Sequence, residues 1–162
     1  MEQEVGIISW LIYFLLDNKS LSVYTELANK QSLSLAFKAK LHLTISATIN
    51  NSKKLNSIIA RALDEISEEI DLTNNLASII IDDSLLSHSI VVGSKKYDNI
   101  NKQIQDESIL KWGNRARNYY FISEEKKTPK NIFHSVAVHH LLREKIKLNF
   151  NNFGLSIKYI VP

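Results

Sequence analysis

From Leu33 to Ile49 every odd position is apolar, and every even position except Ala36 is polar. A period of two predicts a β-strand with one face buried and the other wet. Seventeen extended residues would run about 55 Å, against a diameter of about 40 Å for a domain of this size. The strand over 33–49 is therefore expected either to be broken by a bulge or bend, or to project and pair outside its own domain. Leu33, Phe37, Leu41 and Ile45 also stand four apart, so a helical first half is the competing pattern.

The other segments supply layers around that strand. Residues 5–16 form the most apolar run, and they predict a buried N-terminal helix ending near Asp17. Asp17 to Ser20 is turn chemistry, and Val23 to Lys30 suggests a helical turn or two. Leu55, Ile58, Ile59, Ala62, Leu63, Ile66 and Ile70 recur at three and four, which predicts an amphipathic helix over about 53–71 that Ser52 could cap. Leu76 to Val92 reads as two strands joined by a turn at Asp82-Asp83-Ser84, followed by a weaker helix from Tyr97 to Leu110 that Gly113 stops. Tyr119 to Ile122 is a further strand candidate. Thr128-Pro129 has the form of a helix start, placing a last helix over about 129–148 before a closing strand from Gly154 to Val161. The sum is an α+β fold: one two-layer domain over 1–162, with a mostly antiparallel sheet built around 33–49.

Composition narrows the class. The chain has 162 residues, 44% hydrophobic and 23% charged, which is enough for a substantial core and too apolar for disorder. Without Cys there are no disulfides and no thiolate chemistry, which fits an intracellular, cytoplasmic protein and is compatible with a virion component. The run at 5–16 is too short for a membrane-spanning helix and lacks the flanks of a signal peptide.

The net charge of +3 matters less than its distribution. An acidic patch is expected from Asp64, Glu65, Glu68, Glu69 and Asp71, on the outer side of the 53–71 helix. A basic and aromatic patch gathers Lys111, Arg115, Arg117, Tyr119, Lys126, Lys127 and Lys130. Such an asymmetry can steer a charged partner. Bases interleaved with aromatics over 111–130 would also suit nucleic acid, with cations on phosphates and rings on bases.

Catalytic signatures are sparse. The five His (His42, His88, His134, His139, His140) offer one helical ligand pair, His140 with Glu144, and that is too few for a metal site. Asp82, Asp83 and His88 follow an apolar strand. With Glu124-Glu125-Lys126 they resemble the acid and Glu-x-Lys arrangement of magnesium-dependent nucleases, which would imply metal-assisted hydrolysis. No phosphate-binding loop, dinucleotide turn or nucleophile elbow occurs, and no cofactor is called for. The leading expectation is a non-enzymatic structural or adaptor subunit, binding copies of itself or another protein. An acidic patch meeting a basic one on the next copy would be a heterologous contact. The order of N-terminal helix, long strand and packed helix is similar to small joining proteins of phage tails. Nucleic-acid binding and the nuclease are the alternatives.

Overall fold

The structure is a computed structural model that describes residues 11–26 and 32–162. The fold is α+β, as the sequence predicts, but it contains two sheets rather than one. The first has five strands in the order β3-β2-β1-β4-β8, formed by β1 (Leu11–Leu16), β2 (Ser20–Glu26), β3 (Leu33–Lys40), β4 (Leu76–Ile81) and β8 (Ser156–Val161). It is mixed: β1-β2 and β2-β3 are antiparallel, whereas β1-β4 and β4-β8 are parallel. The second has three antiparallel strands in the order β5-β7-β6, from β5 (Ser87–Val92), β6 (Tyr119–Glu125) and β7 (Ile132–His139).

Parallel neighbours need crossover helices. Helix α2 (Ser52–Glu69) connects β3 to β4, and α4 (His140–Asn152) leads into β8. The two pack on each other, and buried Asn149 donates to Asn56 Oδ1 at 3.0 Å and to the Lys145 carbonyl at 2.8 Å. Apolar positions at three and four bury Leu55, Ile58, Ile59, Ala62, Leu63 and Ile66 of α2, and Leu142, Ile146 and Phe150 of α4. They cover the sheet face carrying Ile12, Phe14, Leu16, Leu21, Val23, Ala77, Ile79 and Ile81. At its centre the rings of Phe14 and Phe150 meet edge to face, 4.8 Å apart.

Five expectations are corrected. The helix expected over 5–16 is, where described, strand β1; Ile12, Phe14 and Leu16 are buried while Leu11, Tyr13 and Leu15 are half-buried. Its uncovered face carries Leu11, Tyr13 and Leu15 instead of polar residues, so the run is apolar on both faces and its period of two disappears from the sequence. The helical turns expected at 23–30 are strand β2 as far as Glu26, and 27–30 lie outside the described residues. The strand over 33–49 stops at Lys40, and a short helix α1 (Ile45–Thr48) follows, capped by Thr44. The helix expected over 129–148 is strand β7 up to His139, and Thr128-Pro129 lies in the β6-β7 hairpin loop instead. Buried His139 caps α4, its Nδ1 accepting from the Leu141 amide at 3.2 Å. The extended segments either side of Asp82-Asp83-Ser84 do not form a hairpin, because β4 and β5 belong to different sheets.

The helix predicted over 53–71 is α2, although Asn51 rather than Ser52 caps it by accepting from the Lys54 amide at 3.0 Å. The predicted weaker helix is α3 (Ile100–Trp112), which ends at Gly113 with φ 64° and lies on the second sheet. A positive φ there suits glycine.

The edge strands explain what becomes of the alternation. In β3 the register shifts so that Phe37 faces Val23 while Leu35 faces Tyr24, leaving Ala36 as an extra residue. A one-residue slip exchanges faces. Phe37 and Ala39 accordingly turn to the helices, whereas Leu33 and Leu35 are exposed at 46% and 53%. Strand β8 repeats the device with Lys158 as the extra residue: Ile157 and Ile160 pack on the core, and Tyr159 is exposed at 54%.

Phe14→Ala should lower stability by about 3–5 kcal/mol in urea unfolding, since it removes a fully buried ring at the sheet-helix seam. Leu35→Ser, beyond the bulge, should change it by less than about 0.5 kcal/mol. Equal losses would contradict the assigned faces.

Candidate functional site

Helices α2 and α4 cover one face of the five-stranded sheet. Across the other runs a row set by strand register: Leu35 on β3, Tyr24 on β2, Tyr13 on β1, Ser78 on β4 and Tyr159 on β8. A second row joins Leu15, Ile80 and Val161. Tyr13 and Tyr24 are half-buried, and Leu35, Ile80, Tyr159 and Val161 are exposed. Among the described residues no helix covers this face. Tyr13 donates to Glu26 Oε1 at 3.3 Å, and that neighbouring charge adds to desolvation in holding the phenol above its usual pKa. Serine at the middle of the row, flanked by rings and aliphatic chains, gives a surface of the kind that recognises protein.

A second feature lies at the carboxyl ends of the parallel strands β1 and β4. Leu16 and Ile81 are in register, so Asp17 and Asp82 emerge side by side, and the Asp82 amide donates to the Leu16 carbonyl at 2.9 Å. With Asn18, Lys19, Ser20, Lys38, Lys40 and Ser84 they line a cavity of about 780 Å³. Asp17 is committed to its own turn: it accepts from the Lys19 and Ser20 amides at 2.7 and 2.8 Å and from the Ser20 hydroxyl at 2.7 Å. Burial pushes its pKa up, but those bonds and nearby Lys38 outweigh it and hold the carboxyl below its ordinary value. Asp82 is likewise lowered by bonds from the Ser84 hydroxyl and amide. Three ammonium groups around two occupied carboxylates make a cleft suited to an anion, at the strand ends where open α/β sheets bind ligands.

The charged patches fall on separate elements. Asp64, Glu65, Glu68 and Glu69 lie on the outer side of α2, with Asp71 just beyond it. Glu65 pairs with Arg61 at 3.6 Å, and Asp71 accepts from the Thr73 amide at 3.0 Å. The basic patch divides along β6. Lys111, Arg115, Arg117 and Tyr119 stand at its start; Lys126, Lys127 and Lys130 lie beyond its end, about 20 Å away at strand rise. The Tyr119 ring is packed between Trp112 at 5.6 Å and His139 at 5.2 Å, rather than standing free.

The nuclease-like residues take an unexpected arrangement. Asp83 Oδ1 is 3.3 Å from His88 Nε2, and His88 Nδ1 is 3.0 Å from His134 Nε2. Glu124 stands opposite His134 across β6 and β7. A line of acid, two imidazoles and acid thus crosses the open face of the three-stranded sheet. Among the described residues, no three His, Asp or Glu side chains already converge as a metal cluster. Sequence spacing could not reveal the histidine pair, because 46 positions separate its members and the β5-β7 register brings them together.

No family model matches the chain, and no curated protein matches it. Solved structures do. The chain is similar to the cytoplasmic domain of EpsL, an inner-membrane component of the type II secretion system of Vibrio cholerae, with TM-score 0.59 and 11% identity over 94% of this chain and 56% of that one. It is similar to a chain of the PilM-PilN type IV pilus biogenesis complex, with TM-score 0.58 and 9% identity over 93% of this chain and 46% of that one. A Bacteroides thetaiotaomicron protein with an actin-like ATPase fold gives TM-score 0.50 and 9% identity, over 99% of this chain and 55% of that one. The chain therefore shares the fold of these proteins and spans about half their length.

Asp17→Ala should cost about 1–2 kcal/mol at pH 7, the worth of bonds to a charged acceptor in a turn. Because the folded-state pKa of Asp17 is lowered, its contribution is full above the unfolded value near about 3.9 and is lost as pH falls through the folded one. Urea unfolding should show the gap between wild type and variant narrowing steadily as pH falls below the unfolded value; a constant gap would contradict this role.

Proposed function

We propose that this protein is a non-enzymatic assembly subunit that works by protein-protein contact through the open face of its five-stranded sheet. The observation that carries the reading is the row from Leu35 through Tyr24, Tyr13 and Ser78 to Tyr159, a mainly aliphatic and aromatic band across five strands that is exposed at Leu35 and Tyr159, half-buried at Tyr24 and Tyr13 and buried at Ser78. The two bulges that present Leu35 and Tyr159 sit on the edge strands, where they twist the edge away from pairing and add its side chains to the face. Among the described residues, most of the exposed large apolar side chains lie on edge strands: Leu33 and Leu35 on β3, Ile90 and Val92 on β5, Tyr120 and Ile122 on β6, Tyr159 and Val161 on β8. Isolated exposed leucines are ordinary; a contiguous band is the mark of an interface.

The fold likeness supports this reading from another direction. One similar structure is a domain of a secretion-system component, and another is a pilus-biogenesis complex. A place inside the cell, within such an assembly, is part of the proposal; no described helix is long and apolar enough to cross a membrane. The acidic side of α2 and the divided basic groups orient the encounter and supply little of its affinity. A joining role of the phage-tail kind belongs to the same class of function.

Photo-crosslinking amino acids placed at 35 and 159 in the native host should yield protein adducts, of this chain or another, while the same groups at 64 and 68 yield few. Adducts to nucleic acid from 111 and 126, with none from 35 or 159, would move the function to the basic segment.

A second reading rests on the cleft. Lys19, Lys38 and Lys40 around a cavity of about 780 Å³ favour a phosphate-bearing ligand there. Calorimetric titration with magnesium-ATP should then show binding that Lys38→Ala and Lys40→Ala each weaken at least about fivefold, about 1 kcal/mol for one charge-assisted contact. Heats unchanged by either substitution would exclude the cleft.

A further inference from the structure

The line of Asp83, His88, His134 and Glu124 supports an inference separate from the assembly face. His88 lies on β5 and His134 on β7, both exposed on the side of the three-stranded sheet opposite α3. Their rings are nearly coplanar, with an interplanar angle of 11° and centroids 5.2 Å apart, and Nδ1 of His88 stands 3.0 Å from Nε2 of His134. The nitrogens therefore meet head-on, as in a hydrogen bond, and both rings must turn for their lone pairs to converge on one ion at about 2.0–2.1 Å, which leaves the nitrogens about 3.0–3.4 Å apart. We propose that His88 Nδ1 and His134 Nε2 form a binding site for a divalent transition metal of the zinc, nickel or copper class, with Glu124 as third ligand.

Three features argue for it. Asp83 lies 3.3 Å from the remote nitrogen of His88; it holds the proton on Nε2 and leaves the Nδ1 lone pair facing His134. That is the carboxylate-histidine-metal relation by which a second carboxylate fixes a ligand's tautomer. Glu124 faces His134 directly across the β6-β7 ladder, where Cβ atoms stand about 4.5–5.5 Å apart, so a rotamer change brings its carboxylate to the same ion. Glu124 and His134 also line one open depression with Ile90, Glu125, Lys126 and Lys127, which leaves room for water at the remaining positions.

Without metal the two nitrogens share one hydrogen, His134 Nε2-H donating to His88 Nδ1. Binding moves that hydrogen to His134 Nδ1, so both neutral imidazoles present a lone pair with no net proton released. The ligands sit on two neighbouring ladders of one sheet, so a bound ion cross-links β5, β7 and β6.

The test titrates the metal-free protein with Co²⁺, read by its visible d-d absorption, and then displaces it with Zn²⁺. Wild type should bind one equivalent, and Zn²⁺ should raise its melting temperature. His88→Ala and His134→Ala, both at exposed positions, should fold normally by circular dichroism and lose both signals. Asp83→Asn should weaken binding about tenfold, the usual loss for such a partner, and Glu124→Gln should change the Co²⁺ spectrum. A wild type with no d-d band, or histidine variants that bind as wild type does, would overturn the site and leave a simple hydrogen-bonded pair. Neither result bears on the assembly face.

Discussion

The structure depends on the burial of a single face of one sheet. Strand β1 is the hinge of that arrangement: it pairs antiparallel with β2 on one side and parallel with β4 on the other. The antiparallel half needs only tight turns. The parallel half requires chain to return over the sheet, and α2 and α4 are that return. Both helices lie on the same side, so Phe14 and Phe150 meet in a closed core while the opposite face keeps Tyr13, Leu15 and Ile80 at its surface. Covering one face and presenting the other follow from the same topology.

How much of this the residues announce depends on whether their environment is one-sided. Helix α2 has one buried stripe and one wet face, and its period of three and four is plain. Strand β1 faces the core on one side and rings and aliphatic chains on the other, so Leu11 to Leu16 is apolar at every position; such a run cannot be told from a buried helix by pattern. Strand β7, paired between β5 and β6, is buried at every position from Ser135 to His139 and so shows no alternation there, and Thr128-Pro129 before it mimics a helix start that the hairpin loop overrides. In β3 the alternation is real, but the bulge at Ala36 reassigns its faces, so Leu35 goes to the surface that the pattern would bury.

The candidate sites show the same division. The charged patches are visible as clusters in the chain, because exposed charge needs no tertiary partner. Their geometry is not: Lys111 and Lys130 are near in sequence and stand toward opposite ends of β6. The open-face row and the histidine pair arise only from register. Tyr13, Tyr24, Ser78 and Tyr159 carry no shared spacing, and His88 meets His134 through two ladder positions on β5 and β7.

The most direct measurement of the central claim is the particle that carries this chain in a gentle extract of its native cells, sized by mass photometry after affinity capture. The account predicts a protein complex well above the 18.5 kDa of one chain. It should survive nuclease and about 0.5 M salt, since an apolar contact is weakly screened, and collapse to the monomer when Leu35 and Tyr159 are both changed to Glu. A monomer under all conditions, or a complex that nuclease dissolves, would contradict it.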